Sequence, residues 1–186
     1  FDESKSRCVL MSYDYSVLAG SQGGMNHKMM DRMFQTAEKL QSPLVLFTEG
    51  GGGRAGGGSR NAVPGKGGSP QISGGGGLNT PSWTLLSKLS GKVPVVGVNA
   101  GFCFAGNAVL LGCCDVIIAT ENSSIGIGGP AMIEGGGLGV YSPEEVGPIS
   151  VQVPSGVVDI AVKDEAEAVQ VTKKYLSYFQ GPVDAW

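Results

Sequence analysis

Apolar residues in this chain form strand-like runs and helix-like stripes that alternate along the sequence. The β-branched runs near residues 94–98 and 115–119 are typical of strands covered on both faces, and an apolar helix lies between them. Further strands are predicted near residues 8–17, 43–48 and 156–162. Because strands and helices alternate throughout, right-handed βαβ crossovers and a layered α/β fold are expected.

Helical periodicity is clearest between residues 25 and 40. Its apolar positions are predicted to form one stripe that faces the core, namely Met25, Met29, Met30, Met33, Phe34, Ala37 and Leu40. A methionine-rich stripe can also serve as an adaptable binding face. Further helical segments are predicted within residues 78–90 and at 164–178. The glycine-rich stretches 123–130 and 134–139 are predicted to be tight loops under the core.

Glycine is concentrated where predicted strands end. Glu49 is followed by four glycines and Arg54, and the residues after position 98 include Gly101, Ala105 and Gly106. Bare backbone at these positions would let main-chain N–H groups approach a ligand directly, although a turn packed tightly against a neighbour would have the same composition. Because open α/β sheets bind ligands at the carboxyl ends of their strands, the two loops predict one shared site.

Composition narrows the class of protein. With 186 residues, 41% of them hydrophobic, one domain spanning residues 1–186 is expected. About residues 55–80, a glycine-rich stretch with almost nothing to bury, are predicted to be a mobile loop, either an inert linker or a functional lid. A net charge of −3 supplies no broad cationic surface, so nucleic acid is not expected as a partner. No apolar run is long enough to cross a membrane and no signal-peptide pattern opens the chain, so a soluble cytoplasmic protein is expected.

Common catalytic motifs are missing from the sequence. Gly97, Gly101 and Gly106 do not match the dinucleotide-binding fingerprint. The single histidine, His27, argues against a serine hydrolase and against a zinc site built from Cys and His, so no metal is expected. What remains is a site of backbone amides, which suits a reaction that develops negative charge on a carbonyl oxygen, such as enolate formation next to a thioester.

Seven motifs, taken in order, carry a family resemblance. They are SYDYSVLAGSQGGMN, TEGGGGR, VNAGFCFAGNAVLLGCCDVIIAT, GGPAMIEGGG, PEEVGP, GVVDIAVKDEAEAV and KKYLSYF. The order resembles the N-terminal half of the carboxyltransferase part of biotin-dependent acyl-CoA carboxylases, over nearly the whole chain except residues 55 to about 80. The resemblance implies a crotonase-like α/β fold, a ββα superhelix in one domain. It also implies transfer of CO2 from carboxybiotin to the α-carbon of an acyl-CoA through an oxyanion-stabilised enolate.

The resemblance further implies site residues. Matched on Asp115, the family's oxyanion amide falls on Gly106, and its Ser-Gly-Gly-Ala-Arg loop falls on residues 50–54, so that its glycine pair becomes Gly51 and Gly52. These three glycines are predicted to be catalytic. Val109 stands where hydratases of the superfamily would carry a glutamate, which favours carboxyl transfer over hydration. Substrate-binding residues are predicted in the glycine-rich loops at Gly20, Gly23, Gly24, Gly50, Gly53, Arg54, Gly101 and Ala105.

The resemblance also implies partners. Without the Met-Lys-Met signature for biotin attachment, the chain would meet biotin as carboxybiotin on a separate carrier domain, alongside a biotin carboxylase. The family's catalytic unit adds a second crotonase-like half, so docking with a second carboxyltransferase half or homo-oligomerisation is expected.

Glu49 is predicted to face a sheet-end amide or Arg54 rather than act as a base. Two alternatives stay open: a non-catalytic acyl-CoA-binding or scaffold domain, and an enoyl-CoA hydratase/isomerase-like enzyme.

Overall fold

The computed structural model describes residues 7–54 and 80–180, so the predicted mobile loop lies outside the described residues except for its last position. The strands are β1 (Val9–Ser12), β2 (Leu44–Phe47), β3 (Val95–Asn99), β4 (Phe102–Phe104), β5 (Val116–Thr120), β6 (Ser124–Gly126) and β7 (Ile160–Val162). The α-helices are α1 (Gly24–Leu40), α2 (Pro81–Ser87), α3 (Gly106–Gly112), α4 (Pro130–Gly135), α5 (Ile149–Gln152) and α6 (Glu165–Leu176).

Two parallel sheets form the framework. The larger has the strand order β1-β2-β3-β5-β7, and the smaller pairs β4 with β6. A single bridge between Gly50 and Cys103 connects the first glycine-rich loop to this smaller sheet, and another between Gln22 and Gly53 connects the loop to the segment before α1. The predicted α/β fold with a second sheet layer is therefore confirmed.

Alternating side chains cover both faces of the larger sheet. Leu44, Leu46 and Val95 share a core cluster with Phe34 of α1 and Leu86 of α2. The intervening positions belong to a second cluster with Ala168 of α6, namely Val45, Val96, Val98, Val116 and Ile118. All residues of β3 and β5 are buried, as their continuous β-branched runs predict.

The predicted helix at residues 25–40 is confirmed, and its apolar stripe is confirmed in part, because Met30, Phe34 and Ala37 are buried and Met33 packs against the core. The prediction is wrong for the remaining three positions. Met25 and Met29 are 70% and 63% exposed, and Leu40 is also exposed. The buried positions are His27, Met30, Phe34 and Ala37. These four follow the 3- and 4-residue spacing of one helix face, and that face packs against the short helix α2. Met25 and Met29 fall outside the contact.

Three other predicted boundaries are corrected. The strand predicted at residues 8–17 ends at Ser12, because the Asp14 carboxylate accepts hydrogen bonds from the amide and hydroxyl of Ser16 and starts a turn. Within 156–162 the strand begins only at Ile160, since Val157 and Val158 donate to the Gln152 carbonyl and cap α5. Of the stretches predicted as tight loops, 123–130 contains strand β6 and the first residue of helix α4, and 134–139 begins with the last two residues of that helix; Leu138 is exposed, not under a core.

Candidate active site

The glycine-rich loops meet beyond the carboxyl ends of β2 and β3. The Gly50 amide donates to the Phe102 carbonyl and the Phe104 amide donates back to Gly50, each at 2.8 Å. On the other side of this loop, the Gln22 amide donates to the Gly52 carbonyl at 2.7 Å. Three segments, residues 20–23, 50–54 and 102–106, therefore lie side by side, as the ligand edge of an open sheet requires.

Two of these glycines are required by close packing. A Cβ atom at Gly50 would lie 2.2 Å from Nδ2 of Asn107 and 2.5 Å from the Gly20 carbonyl oxygen. Gly52 has φ +84°, and a Cβ atom there would lie 2.4 Å from the Cβ atom of Ala105. The backbone of Gly52 is therefore held directly against the start of α3.

The amides of the predicted catalytic glycines differ in whether they already have acceptors. The Gly51 amide donates to the Ala19 carbonyl at 2.9 Å, and the Gly52 amide donates to Oδ1 of Asn107 at 3.0 Å. Among the described residues, neither the Gly53 amide nor the Gly106 amide donates a hydrogen bond. Among Gly50–Gly53 and Gly106, the donors that a ligand oxygen could meet without displacing a protein group are thus Gly53 and Gly106.

Ala105 has an unusual backbone conformation, with φ 51° and ψ −121°. A residue with a Cβ atom rarely adopts a positive φ, and such a conformation persists only where surrounding contacts hold it. Here the Ala105 amide donates to the Gly126 carbonyl of β6 at 3.0 Å, which anchors the residue to the smaller sheet. The peptide that carries the partly exposed Gly106 amide is therefore held in a defined direction.

Asn107 is a site residue that the sequence prediction missed. Its side chain is fully buried; Oδ1 accepts from the Gly52 amide, and Nδ2 donates to the Thr48 carbonyl at 3.1 Å. In the sequence Asn107 counts only as a small residue in a loop. The signal that could have identified it is a polar amide in the first turn of an otherwise apolar helix, GNAVLLG.

Glu49 faces a sheet-end amide, which confirms that prediction. Its Oε1 atom accepts a hydrogen bond from the Ala100 amide. Burial raises the pKa of Glu49, main-chain hydrogen bonds oppose the rise, and the charge of Glu165 adds to it. Arg54 binds elsewhere, because its Nε and Nη2 atoms donate to the hydroxyl and carbonyl oxygens of Ser21 at 3.2 and 3.0 Å.

The remaining predicted substrate-binding residues divide into two groups. Gly20 lies against the first loop, since a Cβ atom there would be 2.6 Å from the Glu49 carbonyl oxygen. Gly101 lies beside Glu49 as well, with 3.7 Å between its would-be Cβ atom and the Glu49 Cγ atom. Gly23, next to Gly24 at the start of α1, instead lies beside the Arg54 guanidinium. The first group adjoins Glu49 and the second adjoins Arg54, at the two ends of the glycine run.

Reactive side chains do not gather at this site. His27 is buried between α1 and α2, where its Nδ1 atom lies 2.9 Å from the Ser82 hydroxyl, and burial lowers its pKa. Cys103 is buried too, which raises the pKa of its thiol to about 12. In the part of the chain that the structure describes, no cluster of three His, Cys, Asp or Glu side chains could hold a metal ion. Nor does any helix in residues 7–54 or 80–180 have the length and apolarity to cross a membrane.

Comparisons with known proteins agree on one family. The family model described as a carboxyl transferase domain matches residues 6–185. The uncharacterized carboxylase YngE of Bacillus subtilis (strain 168) is 33% identical over 92% of this chain and 32% of its own length. The methylmalonyl-CoA carboxyltransferase 12S subunit of Propionibacterium freudenreichii subsp. shermanii is 27% identical over 90% of this chain and 29% of its own length. The chain thus spans about a third of the length of these curated relatives.

The chain is also similar over its whole length to a solved structure. A single-chain, multi-domain long-chain acyl-CoA carboxylase is 53% identical, with a TM-score of 0.82. The match covers 100% of this chain and 17% of that one.

Proposed function

Because the chain belongs to the carboxyl transferase domain family, we propose that it binds an acyl-CoA and transfers CO2 from carboxybiotin to the α-carbon of the thioester. The fold is the crotonase-like α/β fold of that family. The observation that carries the proposal is the amide of Gly106, which has no acceptor among the described residues and lies partly exposed beside the Gly50–Gly53 backbone. The 53% identity to a long-chain acyl-CoA carboxylase supports acyl-CoA as the substrate class.

In this proposal the Gly106 amide stabilises negative charge on the thioester oxygen. Removal of the α-proton turns the thioester into an enolate, and its oxygen then carries the charge. A preorganised N–H donor at that position is worth about 2.7–4 kcal/mol of transition-state stabilisation. The Gly53 amide is a further donor without an acceptor, whereas the Gly51 and Gly52 amides would first have to give up the Ala19 carbonyl and Asn107. We therefore assign Gly51 and Gly52 a structural role in the loop. Their amides could bind the thioester oxygen only if substrate displaced the Ala19 carbonyl and Asn107 Oδ1.

No side chain among the described residues is suited to act as the base. Glu49 lies at the glycine-rich edge, but its Oε1 atom already accepts from the Ala100 amide, and His27 is buried between two helices, so we assign the base to neither. The main-chain N–H donors of this site suit a carbonyl oxygen, either that of the thioester or that of the ureido group of biotin. Carboxybiotin, when bound, supplies the CO2 that becomes bonded to the α-carbon and, once CO2 has left, the ureido nitrogen that takes the α-proton. The chain contributes placement and oriented dipoles.

The proposed assembly includes partners. Biotin would be delivered by a separate biotin carboxyl carrier domain that a biotin carboxylase has charged. A second carboxyltransferase half would complete the site, in keeping with the fraction of each relative that this chain spans.

Reconstitution tests the proposal. The chain is combined with a second carboxyltransferase half and a carboxylated carrier, acetyl-, propionyl- and palmitoyl-CoA are offered, and products are identified by mass spectrometry. The proposal expects an α-carboxylated acyl-CoA. Acyl-CoA binding without carboxylation would favour the non-catalytic binding domain, and water addition to an enoyl-CoA would favour the hydratase alternative.

A further inference from the structure

One buried side chain connects the two glycine-rich loops. We propose that Asn107 is a positioning residue, which fixes the Gly106 amide relative to the Gly50–Gly53 backbone and determines which amides remain free for substrate. The inference rests on the proposed function, since it concerns the same oxyanion site. It assigns to this chain's own side chain a task that the glycine-rich backbone cannot perform alone.

The contacts of Asn107 span three segments of the chain. Oδ1 accepts from the Gly52 amide at 3.0 Å, and Nδ2 donates to the Thr48 carbonyl at 3.1 Å. Longer contacts join Nδ2 to the carbonyl oxygens of Glu49 at 3.4 Å and Gly20 at 3.5 Å. Asn107 directly follows Gly106, so these bonds fix the position of the first turn of α3 against the end of β2.

The space around this side chain leaves little freedom. A Cβ atom at Gly50 would lie 2.7 Å from Cγ of Asn107, and one at Gly52 would lie 2.9 Å from the Gly106 nitrogen. The side chain is 0% exposed, so a lost hydrogen bond could not be replaced by bulk water. Movement of Asn107 would therefore change the distance between Gly52 and Gly106.

The side chain also selects among the donors. By accepting from Gly52, Oδ1 occupies one amide of the loop, while the neighbouring Gly106 amide stays without an acceptor among the described residues. Aspartate would keep the oxygen that faces Gly52 but would place a second oxygen against the carbonyls of Thr48 and Glu49. Alanine would remove the connection altogether and leave the Gly52 amide free.

The experiment uses the assembled enzyme with Asn107→Ala, Asn107→Asp and the control Leu110→Ala. Leu110 lies in the same helix and is buried in the core cluster with Phe34 and Leu86, and its side chain has no polar atom to bind the loops. We expect both Asn107 variants to lower kcat by about 100-fold, the size of effect that a 1 Å misplacement can cause, while KM for acyl-CoA stays within about threefold. Leu110→Ala should lower Tm but keep kcat.

A binding measurement separates this inference from the proposed function. Kd is compared for palmitoyl-CoA and for its thioether analogue, which lacks the carbonyl oxygen that Gly106 would bind. Wild type should prefer the thioester, and Asn107→Ala should lose that preference yet still bind both ligands. No preference in wild type would overturn the oxyanion role of Gly106. A wild-type preference that Asn107→Ala and Asn107→Asp both retain, with kcat close to that of Leu110→Ala, would overturn the positioning role alone.

Discussion

Gly52 has the tightest steric surroundings of the three predicted catalytic glycines. Alanine there would combine a positive φ with contacts of 2.4 Å to the Ala105 Cβ atom and 2.9 Å to the Gly106 nitrogen. Gly106 is less restricted, since its φ is not positive and its would-be Cβ atom meets only the end of the Gln22 side chain, at 2.7 Å from Oε1. The two substitutions should therefore have different effects.

We expect Gly52→Ala to lower the free energy of unfolding by about 1–3 kcal/mol, the cost of a strained backbone conformation. Gly106→Ala should cost less stability but reduce carboxyl transfer, and Gly106→Val should reduce it further. Gly112→Ala is the control, because no atom lies within 4 Å of its would-be Cβ atom. Urea denaturation of the variants measures the differences. Equal stability of Gly52→Ala and Gly112→Ala would contradict the expectation.

Glu49 predicts a pH dependence of stability. Burial raises its pKa, so the folded state disfavours the carboxylate and the associated stability is present below the unfolded pKa of about 4.3. That stability is lost as pH rises through the higher folded pKa. Glu49→Gln keeps an acceptor for the Ala100 amide but cannot ionise. We expect the variant to gain stability relative to wild type at pH 8 and to lose this advantage near pH 4. Parallel pH profiles in urea denaturation would rule this out.

At the residue scale, the sequence predicts the location of the site better than its donors. The glycine-rich loops and the sheet-end position of Glu49 follow from composition and strand order. Which amides are free does not follow from the sequence. The Gly52 amide donates to a side chain 55 positions away, and the Gly106 amide is oriented by the positive φ of Ala105. Both depend on contacts that form only in the folded chain.

Helices α1 and α2 are joined by a buried polar chain. Ser82 donates to the Asp31 carboxylate, and its hydroxyl lies 2.9 Å from Nδ1 of His27. Burial lowers the pKa of His27, only partly opposed by the charge of Asp31. The neutral imidazole is therefore the form that packs between the helices.

This interface should weaken in acid. A folded pKa below the unfolded value of about 6.5 gives stability that is present above pH 6.5 and lost as pH falls through the folded pKa. Since His27 is the single histidine, His27→Gln should flatten the decline in Tm between pH 7 and pH 5. An unchanged slope in the variant, measured by circular dichroism, would contradict the assignment.

At the element scale, the core strands and α1 could be predicted from the sequence, but the exposed positions of α1 and the short helix α4 could not. β3 and β5 have continuous apolar runs that only a doubly covered strand explains. The apolar stripe of α1 was predicted too wide. The sequence does not show which of its four methionines face the core, and the short helix α2 covers only one narrow face of α1. Helix α4, six residues long and exposed, lacks the periodicity that identifies a helix from sequence.

Several large apolar residues in and just after α4 are exposed to solvent. Leu138 and Val140 are 73% and 79% exposed, and Met132 is also exposed. Apolar surface of this kind marks contact regions in proteins that work in larger assemblies.

We expect the isolated chain to self-associate, or to bind a second carboxyltransferase half, through this surface. The double variant Leu138→Lys and Val140→Lys should shift the mass measured by light scattering toward the monomer without changing Tm. Val169→Lys, which changes an exposed apolar residue on α6, is the control. A wild-type chain that stays monomeric at high concentration would contradict the expectation.

The parallel register of the larger sheet pairs residues that are far apart in sequence, such as Leu44 with Val95 and Ile118 with Ile160. Contacts of this kind must close long loops before they add stability, so such sheets fold slowly. The pair β3–β5 spans the shortest stretch of sequence in the larger sheet, so we expect it to form first. During synthesis the outer edge of β5 stays unpaired until Ile160–Val162 leaves the ribosome, which makes that edge the point most exposed to misassembly in the nascent chain.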